Sequence, residues 1–218
     1  MTHPGGQQLS PDELLTTTRS VRRRLDLTRP VPRQLVQECV EIATQAPTGS
    51  NRQDYGFVCI SEPDRKQAIA ELYGRGFDRY AGTPGPAYAE GDLRGAAAGR
   101  VRSSSQYLRD HLAEVPWLVI PVIHRRAREG AGTAEQAGLY GSILPAFWSF
   151  MLAARARGLG TVLTTLHLPY EREAAEVLGI PYQEVTQVGM TPLAYYRGNG
   201  FQPAARIPLD GVLHWERW

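Results

Sequence analysis

The chain has 218 residues, with 24 Lys and Arg against 22 Asp and Glu, so its net charge is only +2. Proteins that coat nucleic acids usually carry a strongly basic domain, and this balance therefore disfavours nucleic-acid binding as the main function. The length suits one domain with a substantial core, and no repeat or linker divides residues 1–218. Two cysteines, Cys39 and Cys59, lie in apolar patterns without a partner at metal-ligand spacing, which predicts buried thiols and no metal site.

The first 15 residues lack the apolar core of a signal peptide, and no apolar run looks long enough to span a bilayer. We therefore expect a cytoplasmic protein without a membrane partner. Ser10 and Glu13 form a capping box around Pro11, which predicts a first helix that ends near Thr18. A second helix is predicted from Pro32, with an apolar stripe along it and Pro47 as its stop.

Strands and helices alternate irregularly in the rest of the chain. Residues 55–61 read as a strand and residues 63–73 as an amphipathic helix. Residues 74–102 are rich in Gly, Ala and Arg, which predicts an exposed insertion or lid. The apolar segment 115–123 is typical of a central strand buried on both faces.

Residues 134–158 predict a long apolar helix that is broken at Pro145 and enclosed by protein, in part by a second subunit. The last predicted elements are a short strand, a helix that ends at Gly179, and a further strand, over residues 161–168, 169–179 and 184–196. This order predicts a single mixed α+β domain.

Five arginines lie within eleven positions near the end of the first helix: Arg19, Arg22, Arg23, Arg24 and Arg29. A cation favours a helix C-terminus, but that effect explains one or two of them. Arg19 and Arg22 are spaced to point the same way from a turn, and Ser20 adds a hydroxyl donor, so a phosphate would suit this group. A solvated surface is the competing interpretation.

The segment "APTGSNRQ" (46–53) follows the second helix and combines small residues with two carboxamides, Asn51 and Gln53. Such a loop lets the backbone approach a flat ligand, and the amides could pair with a heterocycle whose edge alternates donors and acceptors. An ordinary turn built on Pro47, Gly49 and Asn51 explains the same residues.

Several signatures of self-sufficient enzymes are missing. The sequence has no Gly-x-Gly-x-x-Gly fingerprint, no phosphate-binding loop that ends in Lys-Ser/Thr, and no Gly-x-Ser-x-Gly elbow. The five histidines are scattered. If the chain is an enzyme, a bound cofactor therefore carries the difficult chemistry.

The stretch from "TRSVRRRLDLTRPVP" through "APTGSNRQ" resembles the opening of the nitroreductase-like flavoproteins. The later "RARGLGTVLTTLHLPYEREAAEVLGIP" and the tail "RIPLDGVLHWERW" resemble further segments of that family. The resemblance implies an α+β fold around a mixed, mainly antiparallel sheet surrounded by helices, and an intertwined homodimer with FMN at the interface.

Carried over by position, the resemblance assigns FMN binding to Arg19, Ser20, Arg22, Pro47, Thr48, Asn51, Gln53, Leu163, Thr164, Thr165 and Arg206. Pro47 and Thr48 would reach across from the other subunit. Arg22 would offset negative charge on the reduced ring. Arg23, Arg24 and Arg29 are expected to be solvated.

Two departures from the family pattern stand out. Thr18 replaces the first family arginine, so one phosphate or ribityl contact is weakened or supplied elsewhere. "LTTLH" is more like the dehalogenase and flavin-cleaving branches than the oxygen-insensitive nitroreductases, so Thr164 or Thr165 is a candidate donor near the flavin. β propensity alone also accounts for two threonines in a strand. His167 is a candidate general acid.

The expected activity is an FMN-dependent oxidoreductase that works by alternation. NADH or NADPH would reduce the flavin, which would then reduce a flat, electron-poor acceptor such as a nitroaromatic, a quinone, an enone or a halogenated aromatic. Two alternatives remain open, namely a protein that binds or sequesters FMN without turnover and a flavin-dependent dehydrogenase of a small metabolite.

Overall fold

The computed structural model describes residues 9–218, so the segment 1–8, on which the signal-peptide prediction partly depends, lies outside the described residues. The α-helices assigned within residues 9–218 are α1 (Pro11–Thr17), α2 (Arg33–Ala43), α3 (Pro63–Ala81), α4 (Leu93–His111), α5 (Thr133–Gly141), α6 (Leu144–Ala156) and α7 (Glu171–Leu178). The strands of the same part are β1 (Tyr55–Ile60), β2 (Trp117–Ile123), β3 (Leu159–Thr161), β4 (Thr186–Gln187) and β5 (Thr191–Tyr195).

The strands form one sheet in the order β1-β2-β5-β3, in which every paired strand is antiparallel to its neighbour. A parallel bridge between Ser20 and Thr161 extends the β3 edge. Six of the seven residues of β2 are buried, because helices cover this central strand on both faces. The expected α+β class with a mainly antiparallel sheet is confirmed.

A β-bulge separates β4 from β5, and both pair with β2. Val122 pairs with Gln187 and Val119 pairs with Thr191. The stretch from 187 to 191 is therefore one residue longer than the stretch from 119 to 122 that it faces on β2. The extra residue frees Met190 from β2. Met190 instead exchanges two backbone hydrogen bonds with Thr164, of 2.8 and 2.9 Å, which fixes the turn that follows β3. The single strand predicted over residues 184–196 is therefore two strands.

The first two helices follow their sequence signals. At α1, the Ser10 backbone N–H donates to Glu13 and the Glu13 backbone N–H donates to the Ser10 hydroxyl, as a capping box requires. In α2, the apolar stripe buries Leu35, Val36, Cys39 and Ala43. This stripe packs on Phe147 and Phe150 of α6, in a cluster that includes Val119 of β2.

Helix α3 is longer than predicted, because Gly74, Gly76 and Phe77 are buried rather than part of an exposed insertion. A Cβ atom at Gly76 would overlap the carbonyl oxygen of Leu166, so the glycine permits close contact between α3 and the turn after β3. The insertion prediction is wrong for residues 74–81. Residues 82–92 are largely irregular, and α4 follows with one buried residue, Leu108.

Residues 133–156 have the length and mean hydropathy (1.4) of a membrane span, which contradicts the expectation that no apolar run is long enough. In the fold, the helical path breaks at Ser142 and Ile143, one turn earlier than Pro145 suggested, and Pro145 starts α6. Half of the most apolar window of this segment is buried. The apolar composition of residues 133–156 therefore fits a helix packed in the protein core as well as a helix in a bilayer.

Candidate functional site

The segment that follows α1 is fixed as an added edge of the sheet. The N–H of Val21 donates to the carbonyl of Thr161 over 2.8 Å, and Ser20 forms the parallel bridge to the same residue. This anchoring holds Arg19 and Arg22 against a cleft of about 530 Å³. The cleft is lined by Thr18, Arg19, Ser20, Arg22, Ala97, Arg100, Val101, Ser104, Trp148, Met151, Leu163 and Arg206.

The cleft has a strong excess of positive charge. Four of its lining residues are arginines, and no Asp or Glu lines it. The Nη1 atom of Arg19 is buried and has no hydrogen-bond partner among the described residues. Burial lowers the pKa of Arg19, and repulsion from nearby Arg206 lowers it further. Because a buried, unpaired cationic donor costs free energy, this geometry suits a bound anion that supplies the missing acceptors.

Arg22 lies deeper in the cleft than the other arginines of its cluster. Burial lowers its pKa, and the hydroxyls of Tyr73 and Tyr80 oppose part of that effect. Its Nη1 lies 3.5 Å from the hydroxyl of Ser104 on α4, which is a weak contact. Arg22 thus keeps most of its donor capacity for a ligand.

The remaining arginines of the cluster make contacts within the protein. Arg24 donates to the carbonyls of Arg197, Asn199 and Gly200 and lies over the ring of Phe201, so the expectation that it is solvated is wrong. Arg23 donates to Ser103, and Arg29, although exposed, lies 3.5 Å above the ring of Tyr195. The cluster therefore divides into two arginines that line the cleft, Arg19 and Arg22, and three that contact other parts of the protein.

One face of α4 closes the cleft. Ala97, Arg100, Val101 and Ser104 follow the i, i+3, i+4, i+7 spacing of a single helix face and all line the cavity. Sequence reasoning missed these residues because the segment was interpreted as an insertion, although the spacing was readable. Trp148 and Met151 of α6 add apolar surface to the lining of the cleft, whereas Phe147 and Phe150 are core.

The turn after β3 carries the candidate residues 163–167. Leu163 is exposed and lines the cleft. The Thr164 backbone pairs with Met190, and burial raises the pKa of Tyr73, an effect that the nearby Thr164 side chain partly opposes. Thr165 is exposed and does not line the cleft. The strand predicted over residues 161–168 is limited to β3, because the chain turns at the bridge between Thr164 and Met190.

His167 is fully buried, and neither ring nitrogen has a hydrogen-bond partner among the described residues. Burial lowers its pKa to about 4, although the nearby Gln187 side chain opposes the shift. The imidazole is thus neutral near pH 7 and is not among the residues that line the cleft. This placement argues against the expected role of His167 as general acid.

The loop 46–53 does not meet the arginine cleft within one chain. Instead, the Gly49 N–H donates to the buried hydroxyl of Ser142, and this loop borders a cavity of about 320 Å³ together with Arg125. The Gln53 side chain donates to Asn51, and the Gln53 N–H donates to Thr48. Ser50, Asn51 and Gln53 have φ angles of 54°, 52° and 50°. Three non-glycine residues in the left-handed region are strained, which is typical of a ligand-binding loop.

Other parts of the molecule are weaker candidates for a site. A groove of about 500 Å³ lies between α2 and β1, where Val36, Phe57 and Trp117 are lining residues. It lacks the unpaired buried donor that distinguishes the arginine cleft. Within residues 9–218, no three His, Cys, Asp or Glu side chains are grouped so that they could hold a metal ion.

A family model described as "Nitroreductase family" matches residues 15–195, which include the cleft segment after α1, the loop 46–53 and the turn after β3. The chain belongs to the nitroreductase family. The resemblance expected from the sequence motifs is thereby confirmed. Arg206 and the tail lie beyond the matched range.

Individual members of the family are only distantly similar. A protein named NADH dehydrogenase from Thermus thermophilus is 28% identical over 210 residues, which cover 90% of this chain and 91% of that protein. A structure of oxidized iodotyrosine deiodinase bound to FMN and 3-iodo-L-tyrosine has a TM-score of 0.69 at 21% identity and covers 95% of this chain and 98% of that one. A nitroreductase-like protein from Bacillus cereus has a TM-score of 0.67 at 20% identity, with 96% and 97% covered. At these identities, the two structures show the shared fold.

Proposed function

We propose that this protein is an FMN-dependent oxidoreductase. It takes a hydride from NADH or NADPH and passes two electrons to a flat, electron-poor acceptor such as a nitroaromatic, a quinone, an enone or a halogenated aromatic. The observation that carries the proposal is the cleft itself, which has four arginines, no carboxylate and a buried guanidinium nitrogen without a partner among the described residues. The family assignment and the FMN-bound neighbour support FMN as the cofactor.

The residues of the cleft fit the parts of FMN. Arg19 and Arg206 repel each other across the cleft and would hold the phosphate, whose charge removes that repulsion. Ser20 adds a hydroxyl, and Arg22 would offset negative charge on the reduced ring. Trp148, Met151 and Leu163 offer the apolar surface that a flat ring requires. Thr164 follows the cleft-lining Leu163, does not itself line the cleft, and is held by its backbone pairing with Met190; it would be the donor to the ring.

Bound FMN would supply the hydride and electron transfer chemistry, so the chain would need no dinucleotide-binding domain of its own. The protein's part is to bind and orient the ring and to place positive charge near it. No nucleophilic side chain is required. With His167 buried, solvent is the proposed proton source for the acceptor.

A homodimer completes the site in this proposal. The strained loop 46–53 lies away from the arginine cleft of its own chain, so Pro47, Thr48, Asn51 and Gln53 would contact FMN held by the partner. Tyr140 near the end of α5 and Leu144 and Trp148, four residues apart on α6, are exposed large apolar side chains, which would suit a subunit interface. The cytoplasmic location and the lid role of residues 82–102 stay predictions.

The test is the visible spectrum of the desalted protein, followed by identification of any pigment released on heating and by anaerobic mixing with NADH and NADPH. One FMN per chain and bleaching by either nicotinamide are the expected results. A protein that retains FMN but is reduced by neither would instead be a flavin-binding protein or a dehydrogenase. A colourless protein that does not bind added FMN would refute the proposal.

A further inference from the structure

We propose that Arg100 selects a second ligand that carries an anionic oxygen group, a carboxylate or a phosphate, attached to a flat ring or stacked beside one. The proposal rests on the proposed function, because the second ligand is the molecule that exchanges electrons with FMN in the cleft. It adds a specificity determinant on α4, a helix that carries none of the short sequence motifs quoted for the family resemblance.

The placement of Arg100 supports this assignment. It lies on the face of α4 that lines the cleft, between Ala97 and Ser104. Among residues 9–218, no hydrogen bond, ion pair or ring contact is found for its guanidinium, and the side chain is exposed. Arg100 is therefore an exposed guanidinium with unused donors that lines the cleft.

The other arginines of α4 differ from Arg100. Arg94 is paired with Asp92, and Arg109 is paired with Asp78. Arg102 is exposed but does not line the cleft. Of the four arginines on this helix, only Arg100 thus combines a position in the cleft with unused donors.

The charge balance of the cleft leaves Arg100 without a role in holding FMN. A phosphate monoester carries about −1.5 to −2 at neutral pH, which matches the two cations Arg19 and Arg206. Arg22 lies between Tyr73 and Ser104 and is assigned to the ring. No carboxylate lines the cavity, so the charge of Arg100 remains uncompensated after FMN binds.

A ligand anion is the simplest partner for this remaining charge. Guanidinium forks bind carboxylates and phosphates bidentately, and the interaction is stronger in a cleft from which a stacked ring has displaced water. Trp148 and Met151 line the same cavity as the arginines, so a ring with an anionic substituent could use both kinds of surface. A neutral ring would use only one of them.

The experiment measures binding to the oxidised holoprotein through changes in flavin absorbance. The carboxylate probe is 4-nitrobenzoate, and its neutral match is 4-nitrobenzamide. We expect the wild type to bind the carboxylate roughly 10-fold more tightly than the amide at low salt, and the preference to shrink as salt rises. Arg100→Ala should abolish the preference, while the matched control Arg102→Ala, which removes the same charge from the same helix, should keep it.

A second arm uses NADH and NADPH, which differ by one phosphate. If Arg100→Ala removes a preference for NADPH and leaves the nitrobenzoate affinity unchanged, the anion belongs to the nicotinamide, and Arg100 still selects it. Equal binding of 4-nitrobenzoate and 4-nitrobenzamide in the wild type, with no preference between nicotinamides, would overturn the proposal.

Two further results would also overturn it. Arg100→Ala could retain the wild-type preferences, or it could weaken FMN binding itself, in which case Arg100 holds the phosphate in place of the arginine that Thr18 replaces. A wild type that binds no FMN would refute the proposed function together with this inference. Bound FMN without anion preference would refute the inference alone.

Discussion

The guanidinium groups of Arg126 and Arg19 are both partly shielded from solvent, but Arg126 has hydrogen-bond partners within the chain and a buried nitrogen of Arg19 has none. Arg126 forms a two-pronged pair with Glu171 at 2.9 and 3.0 Å and also donates to the carbonyls of Tyr182 and Val185. Its pKa is raised, chiefly by the hydrogen bond to Glu171. Arg19 has a buried Nη1 without a partner among the described residues, and its pKa is lowered. The donors of Arg126 are used within the chain, whereas Arg19 keeps a buried donor unused.

This contrast predicts that substitution of Arg126 changes the free energy of unfolding, whereas substitution of Arg19 changes ligand affinity. An arginine whose donors are used inside the chain contributes to the free energy of unfolding. An arginine whose donors are unused contributes to ligand affinity and is neutral or unfavourable in the unliganded fold. Two arginine substitutions test this separation directly. Two further substitutions extend it to a buried neutral histidine and a buried hydroxyl.

The largest effect is expected from Arg126→Ala, which removes the cationic partner of Glu171, leaving that carboxylate the Gln187 N–H, and also removes the Arg126 donor from two carbonyls. Because Glu171 is only 14% exposed, we expect the free energy of unfolding in urea to fall by about 3 kcal/mol, with little change in FMN affinity. Arg128→Ala is the control, since its pair with Glu135 is at the surface. Equal destabilisation by both variants would contradict the contrast.

Arg19→Ala should give the reverse result. We expect FMN affinity to fall by about 2 kcal/mol, or roughly 30-fold, because a charge-assisted bond to the phosphate is lost. The apoprotein should keep its stability, since the substitution removes an unpaired cation that Arg206 repels. Fluorescence titration with FMN and urea unfolding of the apoprotein measure the two quantities. A destabilised apoprotein with unchanged FMN affinity would make Arg19 a structural residue.

His167 extends the contrast to a buried group that is neutral. Its pKa is about 4 in the fold and 6.5 as a reference, so the unfolded chain binds the proton more tightly. Stability is therefore full above about pH 6.5 and is lost as the pH falls towards 4, with about 2 kcal/mol lost by pH 5. Urea unfolding at pH 7 and pH 5 should show this loss in the wild type and a smaller one in His167→Gln. Identical pH dependence in the two proteins would show that His167 does not titrate in this way.

Ser142→Ala should give the smallest effect, because only neutral or weak bonds are lost. The buried Ser142 hydroxyl accepts from the Gly49 N–H at 3.2 Å and donates to the Gly138 carbonyl at 2.7 Å. We expect a loss of about 1 kcal/mol in stability. The Gly49 amide should also lose protection in hydrogen exchange, whereas Ser61→Ala, at an exposed position, should change neither. Unchanged protection at Gly49 would mean that Ser142 does not hold the loop.

Local sequence patterns predicted the parts of the fold that depend on local physics. The capping box of α1, the apolar stripe of α2 and the buried strand β2 each have a short-range signal, and each is present. The end of α3 has no such signal, because Gly74 and Gly76 read as loop residues. Gly76 permits the close contact with Leu166, which is about 90 residues away in the chain, so no local pattern reports it.

The candidate site was predictable to the same extent. The motif around Arg19 and Arg22 was readable, and both residues line the cleft. Arg24 was not separable from them by sequence, since its partners come from residues 197–200. Arg100 was not predicted to line the cleft, because its position there depends on where α4 packs. The loop 46–53 borders a different cavity from the arginine cleft within one chain, so its assignment to FMN comes from the family resemblance and stays a prediction.

The bulge between β4 and β5 also constrains protein engineering. Deleting one residue from the segment 188–190 would give the second strand the same spacing as β2, so the ladder could run without interruption. The same deletion would take Met190 away from Thr164 and release the turn that carries the candidate residues. A chain shortened in this way would have a regular ladder between β2 and the merged strand, but it would lose the pairing of Met190 with Thr164. Loop-trimming designs and homology-based alignments should therefore treat this single inserted residue as a functional feature.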